Sequence, residues 1–332
     1  MLPTVRQIFQ GSNAVSIQQN LRFDQVIACW LTAFALLLEG SVSQVVKSDL
    51  VFAFETPIAQ IPTKLSTTNL PVISAPSFYA LDLDSSSILV ASQASVLRYP
   101  ASTLKLLTAS TILNQLPASD KIVLTADDLR SDEGSKNELF WQVGESVSIE
   151  DLVASLLINS DNLSAQILAD HYPGGPESLY LAMTDLAKKL NLTSDIKISN
   201  AIGFDAADQL LSARDLAILA KAVLEQPLIR KLVATKTQTV TTTNDFGIIK
   251  HSLTNTNGLL FSDPAIQGVK TGTTPLAGEV LITLSSVNTH PILIVVMGSA
   301  DRYSDTQALL NWISTHYRWQ SWVDVAYNEQ LN

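Results

Sequence analysis

Ser102 and Lys105 stand three residues apart in Arg98-Tyr-Pro-Ala-Ser-Thr-Leu-Lys-Leu-Leu-Thr-Ala109. The stretch reads as the entry to an amphipathic helix. Pro100 stops what precedes it, and Leu104, Leu106, Leu107, Ile112 and Leu113 supply an apolar face. At that spacing the serine and the lysine share a helix face. A serine hydroxyl is a weak nucleophile until a base removes its proton. A lysine can do so once burial or neighbouring cations lower its pKa. The helix N-terminus adds N–H donors and partial positive charge for a developing oxyanion. Alone, the pair equally fits a capping serine beside a solvated lysine, and Ser194-Asp-Ile-Lys197 repeats the spacing.

Two further motifs follow in order. Ser160-Asp-Asn162 lies in a break between helical stretches, and Lys270-Thr-Gly272 precedes a strand. Ser286-Val-Asn288 is a decoy for the second, whereas Lys-Thr-Gly occurs once. Order, spacing and context together form the set shared by class A β-lactamases and penicillin-binding proteins. The chemistry explains the residue types. Ser102 attacks an amide carbonyl and Lys105 takes its proton. Ser160 relays a proton to the leaving amine, and Asn162 holds the substrate amide. Lys270 brings positive charge to Ser160 and to a substrate carboxylate, and Thr271 offers that carboxylate a hydroxyl. Gly272 lets backbone approach the substrate. The N–H groups of Ser102 and Thr273 form the oxyanion hole.

The elements that must position these residues can be read along the chain. Phe78–Leu83 and Ile88–Ala91 flank a turn at Asp84–Ser87, and Lys121–Thr125 is another short strand. Helical patterns cover Ser102–Leu116, Leu152–Ile158 after a Ser148/Asp151 cap, Leu163–His171, Pro176–Leu190, Ser212–Leu224 and Tyr303–Tyr317. Thr235–Thr243, Ile248–Leu253, Glu279–Leu284 and Pro291–Met297 read as strands. Strands at both ends with helices between predict an α/β (α+β) sandwich. An antiparallel sheet is built from both ends of the domain, and an all-helical subdomain carries Ser160 across a cleft from it.

With these landmarks the chain resembles the serine D-Ala-D-Ala carboxypeptidases, the low-molecular-mass penicillin-binding proteins of the β-lactamase/transpeptidase-like superfamily. The likeness covers residues 76–318. It extends to Val143-Gly-Glu145, Asn200-x-x-Gly-Phe204, Ser212-Ala-Arg-Asp-Leu-Ala217, Asn255-Thr-Asn-x-Leu-Leu260, Asp263-Pro264 and Ala277-Gly278. The resemblance implies a peptidoglycan stem peptide ending in D-Ala-D-Ala as substrate and an acyl-enzyme on Ser102. It also implies β-lactams as covalent inhibitors, no metal or organic cofactor, and Arg302 as a further carboxylate ligand. Departures are Asp161 where small residues are usual, Leu163 for an Asp, Ile202 for a His, and Thr273 for an aromatic or histidine. A class A-like β-lactamase is the nearest alternative. It needs a Glu-x-x-Leu-Asn carboxylate, matched only poorly by Asp195-x-x-Ile-x-Asn200. A non-catalytic wall-binding homologue is the other alternative, opposed by the retention of every chemistry-bearing residue. A transpeptidase would use the same residues.

Residues 1–25 form a leader, and 26–43 contain the uncharged run Val26–Leu38, read as a signal-peptide core or membrane anchor. Residues 44–75 read as a Pro/Ser/Thr-rich linker, 76–318 as the peptidase domain and 319–332 as a tail. Arg6 and Arg22 before the apolar run place the domain outside the cytoplasm. A net charge of −10 without a basic stripe excludes a nucleic-acid partner. Single Cys29 excludes an intrachain disulfide, and the four histidines lack ligand spacing.

Overall fold

The computed structural model describes residues 60–65, 69–130, 136–192 and 196–321. The expectations for the leader, for the apolar run at 26–43 and for the tail beyond residue 321 lie outside the described residues. So do Ser194 and Asp195 of the Ser194-Asp-Ile-Lys197 decoy.

In chain order, β1 (Gln60–Lys64), β2 (Ser77–Asp82) and β3 (Ile88–Ser92) lead to a 3₁₀ turn at Ala101–Leu104 and helix α1 (Lys105–Gln115). The middle of the chain supplies β4 (Lys121–Val123), β5 (Ser146–Ser148), α2 (Ile149–Ile158), α3 (Asn162–Asp170), α4 (Gly175–Lys189), α5 (Ala213–Val223) and α6 (Pro227–Ala234). Then come β6 (Thr237–Asn244), β7 (Gly247–Thr254), the single turn α7 (Leu259–Ser262), β8 (Ile266–Thr274), β9 (Gly278–Val287), β10 (His290–Ser299), α8 (Arg302–His316) and β11 (Tyr317–Ser321).

The main sheet has the order β3-β2-β10-β9-β8, all antiparallel, and joins both ends of the domain as expected. Its central strand β10 is buried on both faces, which is why Ile292–Met297 is an unbroken apolar run. Ile292, Ile294 and Val296 pack with Leu309 and Ile313 of α8. Leu293, Val295 and Met297 face the opposite core, shared with α1, α5 and the other helices. Two cores on the two faces of one sheet hold the layers together.

Three features differ from the sequence reading. The Thr-rich strands belong to a second sheet, β4-β5-β6-β7, so the helical subdomain carries a small sheet beside it. Alternation marks β6 and β7 as strands, and only register with β5 assigns them to this sheet. The Lys-Thr-Gly motif lies within β8, an edge strand, rather than ahead of a strand. Residues 60–64, read as part of a tether, pair as β1 with β11. Trp312 Nε1 also donates to Asn69 O at 3.0 Å, so ordered contacts begin before residue 76.

Helix α1 follows a 3₁₀ turn and is almost wholly buried, Lys105 included. Loop 200–205 locks against its start. Thr108 Oγ1 donates to Ala201 O at 2.7 Å, Asn200 Oδ1 accepts from the N–H groups of Gly203 and Phe204, and Thr274 Oγ1 donates to Asp205 Oδ1 at 2.6 Å. Gly203 has φ +87°, and a Cβ there would sit 2.0 Å from Ala101 O. Only glycine satisfies both the conformation and the space. Gly203→Ala should destabilise the domain by roughly 2–4 kcal/mol. A urea midpoint equal to that of the parent protein would contradict this packing.

Candidate active site

Three elements bring the motif residues together. The turn preceding α1 carries Ser102, α1 opens with Lys105, and the break between α2 and α3 carries Ser160. Ala101 and Ser160 both hold positive φ, +50° and +58°, a conformation costing non-glycine residues about 1–3 kcal/mol each. Ala101 adjoins Ser102, and Ser160 is itself one of the motif residues. Surrounding contacts hold the strain: Lys105 Nζ donates to Ser160 O at 2.8 Å, and Thr103 Oγ1 donates to Pro100 O at 2.6 Å.

Lys105 Nζ is the hub. It lies 3.1 Å from Ser102 Oγ and 3.3 Å from Ser160 Oγ, and it donates to Ser160 O and to Asn162 Oδ1. Four acceptors around one nitrogen saturate an ammonium. A neutral amine, with two N–H groups and one lone pair, keeps Ser160 O and Asn162 Oδ1 and turns its lone pair toward a hydroxyl. Burial lowers the Lys105 pKa to about 7, opposed by the charges of Asp161 and Glu138. The amine is therefore substantially neutral near pH 7, as a general base requires.

Asp161, a departure from the family pattern, is the N-cap of α3. Its carboxylate accepts from Ser164 N at 2.8 Å and is almost fully buried. The substitution thus secures the helix that carries Asn162 and holds negative charge near Lys105. Leu163, the second departure, is a core residue.

Lys270 is buried to 1% exposure, and its one acceptor among the described residues is Thr271 O, at 3.2 Å. Burial drives its pKa well down, and the positive charges of Lys105 and Arg302 push the same way. A buried, under-bonded lysine with other basic groups near it suits an incoming anion. Thr271 Oγ1 lies 2.6 Å from Thr256 Oγ1. Thr256 N donates to Ile158 O at the end of α2, and Tyr303 OH donates to Thr256 O. Thr256 thus bridges the helical wall and the sheet wall. Sequence reading missed it as a site residue, although it sits inside the quoted Asn255-Thr-Asn landmark.

Gly272 brings β8 against the 3₁₀ turn. A Cβ there would lie 2.9 Å from Ser102 N. The close approach draws the amides of Ser102 and of β8 to one side of the cleft. Arg302 lies under this strand. Its Nη1 donates to Gly272 O at 2.8 Å and to Thr273 Oγ1 at 2.9 Å, and its Nη2 stands 3.5 Å from Glu279 Oε1. These bonds make Arg302 a brace for Thr273 as well as a nearby positive charge. The remaining landmarks are structural. Glu145 is fully buried and accepts from Gln142 N, Thr242 Oγ1 and His251 Nε2. The Ser286-Val-Asn288 decoy runs into the β9–β10 hairpin turn, where Asn288 and Thr289 have positive φ.

The profile of the D-alanyl-D-alanine carboxypeptidase family matches residues 64–301. The chain belongs to that family. Its members are serine-type peptidases, and the Ser102 site fits that chemistry. A D-alanyl-D-alanine endopeptidase of Escherichia coli is 30% identical over 265 residues, covering 78% of this chain and 84% of that protein. The D-alanyl-D-alanine carboxypeptidase DacC of the same organism is 31% identical over 264 residues, 74% of this chain, and the match spans 62% of its length. The crystal structure of a Streptomyces DD-transpeptidase superposes with a TM-score of 0.69 at 27% identity, covering 74% of this chain and 99% of that one. These comparisons give the fold as β-lactamase/transpeptidase-like and do not favour the β-lactamase alternative. Asn200, the residue that alternative needed at a hydrolytic water, closes its own loop, and Asp195 lies outside the described residues.

The sign of the pH dependence follows from the depressed Lys105 pKa. The base is competent above about 7 and is lost to protonation below it. Acylation of Ser102 should therefore run about tenfold slower near pH 6 than near pH 8. Stopped-flow acylation rates across that range check this, and a flat profile would exclude Lys105 as the base.

Proposed function

We propose that the protein removes the terminal D-Ala from peptidoglycan stem peptides through an acyl-enzyme on Ser102. The observation that carries this reading is the single Lys105 amine within hydrogen-bonding reach of both Ser102 Oγ and Ser160 Oγ. Ser102 Oγ attacks the carbonyl of the penultimate D-Ala and gives its proton to Lys105 Nζ. The oxyanion is held by the N–H groups of Ser102 and Thr273, each worth roughly 3–4 kcal/mol in acyl transfer. The C–N bond then breaks, and Ser160 passes the Lys105 proton to the departing amine. A water attacks the ester and Lys105 takes its proton. Cleavage of the ester returns a proton to Ser102 Oγ and frees the shortened peptide.

The free edge of β8 suits an extended peptide laid alongside it, with the terminal carboxylate in the recess of Lys270, Thr271 and Thr256. Asn162 holds the donor amide on the opposite wall. Arg302 supports the carboxylate end by its charge and by fixing Thr273. β-Lactams fit the same attack and remain as esters on Ser102.

The fuller overlap with the endopeptidase favours a second reading. The amine released would then belong to a neighbouring stem peptide, and the bond cut would be a cross-link. Among the described residues no helix is long and apolar enough to cross a membrane. An extracytoplasmic location, with secretion or anchoring through residues 26–43, belongs to this proposal.

Incubation with benzylpenicillin should add one drug mass to the intact protein and none to Ser102→Ala. Lys105→Ala should slow acylation by roughly a thousandfold. Stem peptides with and without a cross-link, analysed by mass spectrometry, separate the two leaving amines. Drug turnover without a lasting adduct would instead indicate a β-lactamase. Thr256→Val should raise KM for a D-Ala-D-Ala peptide about tenfold, the loss of one charge-assisted hydrogen bond, with kcat little changed and Thr256→Ser retaining affinity. An unchanged KM removes Thr256 from the carboxylate recess.

A further inference from the structure

The outer face of the small sheet carries side chains that folding does not require. Strands β6 and β7 alternate: Val240, Thr242, His251 and Leu253 are buried on the inner face. The register places four residues in one row across the outer face. Val123 pairs with Ser146, Ser146 with Thr243, and Thr243 with Ile248. Paired residues share a face, so Val123 and Ile248 stand at the two ends of a row about 14 Å wide. They are 60% and 71% exposed.

This row lies at the end of the sheet. Asn244 pairs with Gly247, so Asp245-Phe246 is the two-residue loop that joins β6 to β7. Phe246 is 98% exposed, although such loops favour Asn, Asp and Gly. Val143, also exposed, belongs to the same end, because a Cβ on its neighbour Gly144 would lie 4.0 Å from Asn244 Cβ. Exposed apolar residues scattered singly need no explanation, but four at one end of a sheet mark a contact surface.

The residues behind the row indicate the occupant. Side chains two positions along a strand share a face and lie about 7 Å further back. There Lys121 pairs with Ser148, and Lys250 pairs with Thr241. A lysine thus stands directly behind each apolar end of the row, in a chain of net charge −10. Further back come the exposed hydroxyl pairs Thr239 with Ser252 and Thr237 with Thr254. From the tip inward the face runs aromatic, aliphatic, basic and neutral polar. That order follows the depth profile of a bilayer surface, from acyl boundary through headgroup phosphates to water. A lysine stem of roughly 6 Å lets the ammonium reach a phosphate while its carbons lie along the apolar row. A soluble polyanion would leave Phe246 and the apolar row in water. Four side chains also offer less surface than the ~800 Å² that each partner contributes to a stable protein complex. Asp245 in the turn and Asp120 beside Lys121 oppose an anionic surface, so the contact needs both lysines.

We propose that this end of the small sheet docks on the surface of an anionic lipid bilayer. Phe246, Val123, Ile248 and Val143 enter the boundary between headgroups and acyl chains, and Lys121 and Lys250 meet lipid phosphates. The contact uses none of the motif residues and none of residues 26–43, and it goes beyond the reading of the reaction.

The test uses the full chain with Cys29→Ser and one new cysteine, Phe246→Cys or Thr237→Cys, labelled with an environment-sensitive fluorophore. Vesicles are phosphatidylcholine alone or a roughly 3:1 mixture with phosphatidylglycerol. On the mixed vesicles, iodide quenching of the label at 246 should fall about threefold, with little change for the label at 237, two rows behind the lysines. Phosphatidylcholine alone should protect neither. Lys121→Gln with Lys250→Gln should abolish the protection, and Asp245→Asn should increase it. Equal protection at both positions, protection that survives loss of both lysines, or no protection at 246, whether or not the protein sediments with the vesicles, overturns the proposal. Protection that needs no vesicles and rises with protein concentration would overturn it in favour of a second copy of the chain. Protection by soluble polyphosphate alone would overturn it in favour of a soluble polyanion.

Discussion

The structure depends on one amine kept out of water. Lys105 sits at the first residue of a buried helix, and its Nζ ties the nucleophile turn to the α2–α3 break through Ser102, Ser160 and Asn162. The desolvation that lowers the lysine pKa to about 7 comes from the core around α1, not from the motif. The lysine's proton affinity and the packing of the core are therefore linked here. Any change that lets water reach Nζ returns the lysine toward its ordinary pKa near 10.

The cleft walls meet this demand from opposite sides. On one side α2 and α3 join through Ser160, whose strained backbone turns its carbonyl to Lys105. On the other, edge strand β8 presses Gly272 against the nucleophile turn. Thr256 links both walls, so their separation is set by hydrogen bonds to Ile158 and Thr271 as well as by packing. Loop 200–205 closes one end, fastened to α1 by Thr108 and to the end of β8 by Asp205. Two positive-φ residues and two glycines at contact distance mark where local preference is overridden, as expected where function and fold compete.

Electrostatic balance distinguishes the two lysines. Both are lowered by burial. Asp161 and Glu138 partly restore Lys105, whereas Lys105 and Arg302 lower Lys270 further. An anion entering the recess would relieve Lys270 and raise its affinity for a proton. The charge of a bound anion and the charge of the lysine would be coupled in this way. Asp161 thus has two roles, as N-cap and as a charge that raises the Lys105 pKa.

The sequence by itself determined which residues make up the candidate site. Ser102, Lys105, Ser160, Asn162 and Lys270 were legible because spacing within a turn, or within one short motif, is local information. The main sheet was legible too, because β10 must be apolar on both faces. Tertiary structure alone decided that β6 and β7 belong to a second sheet, that Lys270-Thr-Gly272 lies inside an edge strand, and that Arg302 braces Thr273. It also brought Thr256 to Thr271 and made Asp161 the N-cap of the helix that carries Asn162. These depend on which distant segments share a hydrogen bond or a wall. No residue spacing encodes that, because register and burial arise only when the layers close on a common core.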